Sequence, residues 1–150
     1  MQIEIDQSGK IDQTSLDTVI ALTNGTKYTL LFKKRDKRIV EKEFRKRKFQ
    51  KLFMIIIFAN LVAYVIKNSK VKKSILIDTE YVGHNNFIEK IIQDRLGNKC
   101  PKIKFGFVGK ESKSDELARK VARGKTKPDY VISAFEVLDL ALNKKKSGNI

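Results

Sequence analysis

Polar and apolar residues alternate over 2–6, QIEID, and the alternation stops at Gln7-Ser8-Gly9-Lys10. This predicts a strand that ends in a turn. Two more strands are predicted at 16–22, LDTVIAL, and 27–33, KYTLLFK, with the hairpin signal Asn24-Gly25 between them. The pattern then changes. In 33–51, KKRDKRIVEKEFRKRKFQK, Ile39, Val40, Phe44 and Phe49 recur among charges at roughly helical intervals. This run leads into LFMIIIFANLVAYVI, 52–66, which reads as a buried core helix. Two arrangements fit: one long helix with a basic outer end, or a loop followed by a helix.

Lys67 to Lys73 reads as a polar linker. The unbroken apolar run that ends at Asp78 predicts a fourth strand at 75–78, buried on both faces. A helix over 87–96 is expected, capped by Asn85 or Asn86 and stopped by Gly97. Residues 102–108, KIKFGFV, predict a fifth strand. Ser112 or Ser114 opens a helix over 115–124, and Lys127-Pro128-Asp129 breaks the chain again. Residues 131–143 read as a last helix or a mixed element, and the basic tail at 144–150 as frayed. The order is β-β-β-α-β-α-β-α in a single domain spanning 1–150. The expected class is α/β: a five-stranded mixed sheet, three antiparallel hairpin strands then parallel strands, with helices on both faces. No repeat is present, and neither glycine-rich phosphate loop occurs.

Charge narrows the partners. The chain carries a formal +15, and the 33–51 run holds eleven Lys/Arg against three acids, a net of +8. Such an excess favours an anionic partner, nucleic acid first. The expected phosphate-binding residues are Lys33, Lys34, Arg35, Lys37, Arg38, Arg45, Lys46, Arg47 and Lys48. Contacts of this kind grip a backbone without reading bases. Cys100 is the only cysteine and His84 the only histidine, which excludes an internal disulfide and leaves no zinc spacing. His84 reads as a surface loop residue. The start, MQIEIDQSG, lacks the basic and apolar regions of a signal peptide. The apolar run 52–66 is shorter than the roughly 20 residues of a membrane span. A cytoplasmic protein with no membrane partner is expected.

Three aspartates stand at chemically useful places. Asp6 lies near the end of the first strand, Asp78 ends the fourth, and Asp115 begins the helix after the fifth. A parallel pairing of the first and fourth strands makes Asp6 and Asp78 neighbours, and a helix N-terminus can bring Asp115 beside them. Converging carboxylates repel unless a cation sits among them. Hard oxygen donors select Mg²⁺ or Mn²⁺, and two such ions suit phosphodiester hydrolysis.

At this point the chain resembles the ribonuclease H family, over about residues 2–124. ILIDTEYV is similar to that family's TDSQYV pattern, SDELAR (114–119) to its CDELAR helix start, and IEIDQSG to its TDGS first strand. The resemblance places Asp6, Asp78 and Asp115 at metal-ligand positions. It implies a two-metal-ion nuclease with Mg²⁺ or Mn²⁺ and no organic cofactor. The implied substrate is RNA of an RNA/DNA hybrid, RNA, or structured DNA. The basic run parallels the protrusion with which some members grip a hybrid. Two departures accompany it. The family's helix glutamate falls on Ile56, and its mobile histidine has no counterpart in Gly109–Lys113. Glu80, which would share a strand face with Asp78, and Glu43 or Glu41 are the candidate replacements. Asp129 is a further acid able to replace or assist Asp115. The alternative is a non-catalytic nucleic-acid-binding module on the same kind of fold.

Overall fold

The computed structural model describes residues 2–108 and 112–142. Three strands open the chain: β1 (Ile3–Ser8), β2 (Thr18–Thr23) and β3 (Tyr28–Phe32). Helices α1 (Lys34–Lys46) and α2 (Phe53–Ser69) follow, then β4 (Ile75–Asp78), α3 (Asn85–Leu96), β5 (Ile103–Gly106) and α4 (Lys113–Ala122). A two-residue strand β6 (Tyr130–Val131) and α5 (Ala134–Leu142) complete it. Among the described residues the sheet has six strands in the order β5-β4-β1-β2-β3-β6, not five. β1–β2 and β2–β3 are antiparallel; β4, β5 and β6 join in parallel.

The alternation read in the first strand sorts the two faces. Ile3, Ile5, Ile20, Leu22, Leu30, Phe32, Ile75 and Ile77 belong to one large core, with α2 laid across it and α1, α3 and α5 around α2. Val19 and Ala21 face the other way and meet Ala118 and Val121 of α4. Helices therefore cover both faces, among the described residues four on one and one on the other. β4 is buried at Ile75 and Ile77 but only half-buried at Leu76, so the expectation of burial on both faces holds on one. α4 packs on β1, β2 and β3 and leaves the β4 side of its face less covered.

Neither arrangement considered for 33–66 is the observed one. The basic run is itself a helix, separated from α2 by Arg47–Phe49 and a 3₁₀ turn at Gln50–Leu52. The break passes through Lys48 at φ 61. Phe44 of α1 still reaches Phe53 of α2 edge-on, ring centres 5.5 Å apart. The stretch Gln50–Ser69 is long and apolar enough to cross a membrane by length and composition, and 61% of its most apolar window is buried inside this fold. β6 escaped the pattern because it is two residues long. Asp129 pins it: its carboxylate accepts from the backbone N–H and hydroxyl of Thr29 at 2.8 and 3.1 Å, and its own N–H donates back to Thr29 at 3.0 Å. The frayed tail expected at 144–150 lies outside the described residues.

Candidate metal centre at the strand ends

β1 and β4 lie side by side in parallel, with Ile5 opposite Ile77. The next residue on each strand is an aspartate, so Asp6 and Asp78 sit together at the C-terminal edge of the sheet. Both point to the α4 face, because Asp6 pairs with Ala21, which packs on α4, and Asp78 alternates with the core residue Ile77. Glu80 joins them from the loop after β4, not from a longer strand as expected. Carboxylate oxygens of Asp6, Asp78 and Glu80 all lie within 4.8 Å of one another. Asp6 is 6% exposed, and the other two are half-buried.

The surrounding backbone fixes these groups. The Gln7 N–H donates to Asp6 Oδ1 at 2.8 Å. The Val108 N–H donates to Asp78 Oδ1 at 2.7 Å, and Thr79 N–H to the Gly106 carbonyl at 2.8 Å. Gly106 pairs with Asp78, and a Cβ there would come within 3.2 Å of the Leu76 side chain. After β1 the chain turns at Gly9, φ 77, where a Cβ would fall 2.0 Å from the Asp17 carbonyl oxygen. No side chain fits that turn. Behind Glu80, the Tyr81 hydroxyl accepts from Ile11 N–H at 3.0 Å and from Gln7 Nε2 at 3.3 Å. Lys10 lies over the Tyr81 ring at 5.9 Å and donates to the Glu80 carbonyl at 3.5 Å.

The electrostatics follow from this crowding. Burial pushes the Asp6 carboxyl up to about 7, reinforced by the charges of Asp78 and Asp115 against the Gln7 N–H. Burial pushes Glu80 up to about 8, with Asp78 and then Asp6 adding to the rise. Near neutral pH the cluster therefore holds protons where a cation would serve. The donor set fits a hard divalent ion: three carboxylates, no softer ligand. Neighbouring oxygens around six-coordinate Mg²⁺ stand about 3 Å apart, so a bound ion would draw the three carboxylates closer together.

The remaining sequence candidates distribute differently. Asp115 is near enough for its charge to act on Asp6, but its carboxylate pairs with Arg119 at 3.0 Å. Its N–H is capped by the Ser112 hydroxyl at 3.1 Å, the serine expected to open this helix. Glu43 pairs with Arg47 at 3.2 Å and Glu41 with Arg45 at 3.6 Å on α1, so neither belongs to the cluster. Asp129 is engaged at β6 and is a structural residue. Ile56 is half-buried against the main core. His84 is exposed at the start of α3. Of the expected phosphate-binding residues, Lys33, Lys34, Arg35, Arg38, Arg45, Lys46, Arg47 and Lys48 are exposed. Lys37 is not: it is fully buried, and its ammonium donates to the carbonyls of Lys10, Gln13 and Leu16 at 2.9, 2.8 and 2.8 Å. Three carbonyl acceptors leave it no donor for a phosphate. α1 starts at the same edge of the sheet as the carboxylates, because β3 runs parallel to β1.

Sequence reasoning passed over Gln7, Lys10 and Tyr81, which hold the loop behind Glu80. Only the adjacency of Tyr81 to Glu80 signalled them. No family model, curated protein or solved structure matches this chain.

Proposed function

We propose that the protein is a divalent-metal-dependent nuclease with a ribonuclease H-like arrangement of its sheet and site. The observation that carries this reading is the convergence of Asp6, Asp78 and Glu80 within 4.8 Å at the ends of two adjacent parallel strands. The basic helix that begins at the same sheet edge supports a polyanionic substrate. In this reading Asp6, Asp78 and Glu80 hold Mg²⁺ or Mn²⁺, two ions when the site is active. Asp115 completes the set by turning from Arg119. Bound Mg²⁺ or Mn²⁺ supplies Lewis acidity toward a phosphodiester and lowers the pKa of water. The chain's own part is to fix the carboxylates through β1, β4 and the Tyr81 contacts, and to release the protons of Asp6 and Glu80. Lys33, Lys34, Arg35 and Arg38 neutralise backbone phosphates. RNA in an RNA/DNA hybrid is the first substrate, with RNA or structured DNA next.

Ile56 favours a second reading, a nucleic-acid-binding module without catalysis, because an aliphatic side chain stands where the resembling family carries a glutamate. One experiment separates the two. Labelled RNA/DNA hybrid, single-stranded RNA and branched DNA are incubated with wild type and Asp78→Asn, in Mg²⁺, Mn²⁺ or EDTA. The nuclease reading expects metal-dependent cutting that disappears in the variant. Salt-sensitive binding without cutting on every substrate sinks it and leaves the binding module.

A further inference from the structure

The opposite end of the sheet, where β4 and β5 begin, carries two adjoining cavities that share Lys67 and Leu96. The larger has a volume of about 850 Å³, the range of small-molecule sites. Its apolar wall is Ile66, Val71, Leu96, Cys100 and Pro101. Its charged residues are Lys67, Lys70, Lys72 and Lys99, with no acid among the described lining residues. The smaller, about 160 Å³, adds Arg95.

Arg95 is the informative residue. Its Nε donates to Asn60 Oδ1 at 2.7 Å, and it forms no ion pair within 4.0 Å among the described residues. Burial opposes its charge, which Asp94 supports only at a distance. A half-buried guanidinium with a neutral partner, sharing its cavity with Lys67 and adjoining a cavity lined by Lys70, Lys72 and Lys99, is the electrostatic form of an anion site. Lys70, one of these four lysines, closes α2 at φ 60, a place that glycine fills with least strain.

We propose that these adjoining cavities bind a small organic phosphate, its phosphate monoester held in the smaller by Arg95 and Lys67 and its flat apolar body laid in the larger over Leu96, Val71 and Pro101. A phosphate monoester carries nearly two charges at neutral pH and matches such a cluster better than a carboxylate does. Binding here uses side chains and no glycine loop. It is independent of the metal centre at the other sheet edge.

Cys100 is a built-in reporter. It is the only cysteine and lines the cavity half-buried. Burial, with the nearby charge of Glu89, raises its thiol pKa, which lowers the thiolate fraction that alkylation requires. The test follows the alkylation rate of Cys100 by N-ethylmaleimide in the full chain. Probes are adenosine 5′-monophosphate and 1-naphthyl phosphate, with inorganic phosphate and adenosine as the separate halves. Each phosphate monoester is expected to slow alkylation about tenfold at a concentration about ten times its Kd. Neither half alone should do so at that concentration. Arg95→Gln with Lys67→Gln should abolish protection while the melting curve confirms folding. Asp78→Asn should leave protection unchanged, which keeps this inference separate from the nuclease reading. The proposal is overturned if neither monoester protects, if inorganic phosphate protects equally, if the folded double variant is protected like wild type, or if only a polynucleotide protects.

Discussion

The carboxylate cluster and the basic helix are two charged regions at one edge of the sheet, and they are built in opposite ways. Asp6 and Asp78 stand on paired strands, and backbone N–H groups fix an oxygen of each. Glu80 reaches them from a loop braced by Tyr81. On α1 the cations are exposed, on long side chains, and two of them spend part of their charge on Glu41 and Glu43. In the proposed reading the cluster acts through position, so one altered atom matters, and the helix acts through a sum, so one altered residue matters little.

The sharpest way to break this contrast is Asp78→Asn. Cleavage should fall by about 10³-fold or more, the scale of losing one preorganised electrostatic group, while affinity for RNA/DNA hybrid measured in EDTA changes little. Equal losses in both assays would show that the two regions are not separable. Next comes Lys37→Met, which removes the one α1 cation that is buried. It leaves three carbonyls without a donor, a loss of about 3 kcal/mol. The thermal midpoint should drop by roughly 6–12 °C. An unchanged midpoint would return Lys37 to the exposed set.

The third test uses pH. Asp6 and Glu80 have ordinary values of 3.8 and 4.5 and are raised to about 7 and about 8 in the fold. The folded chain therefore binds more protons than the unfolded chain from about pH 4 to pH 8. Metal-free stability should fall as pH rises across that window. Added Mg²⁺ should raise the midpoint more at pH 8 than at pH 5.5, because it no longer competes with protons. A Mg²⁺ effect equal at both values would argue that the cluster does not take the ion. The smallest effect belongs to single neutralisations on α1. Lys34→Gln should weaken hybrid binding modestly and reduce the salt slope by about 0.9 for each duplex phosphate left without its cation. A weakening confined to one nucleotide sequence would mean base reading instead.

How far the sequence foretold this structure depends on which interactions wrote the pattern. Period-two alternation in β1, with the parallel run ending in Asp78, carried the pairing of Asp6 with Asp78. Glu80 was found for the wrong reason. Strand geometry suggested it, and a loop delivers it. Asp129 and Thr29 are joined across 100 residues, a long-range contact that leaves no local pattern. Lys37 was misread because a buried lysine inside a charge run looks like its neighbours. Its acceptors are backbone carbonyls, which have no sequence signature. The break at Lys48 was hidden for a related reason, since lysine is an unusual residue for a left-handed backbone.

Lys37 also has a consequence for how the molecule opens. Residues 10–16 form neither helix nor strand, yet their carbonyls are anchored on a side chain from α1. The loop cannot leave its place while that helix is docked, and undocking the helix strips the loop of its donor. The two should exchange amide hydrogens with solvent as one cooperative unit, with loop amides far slower than their irregular backbone suggests.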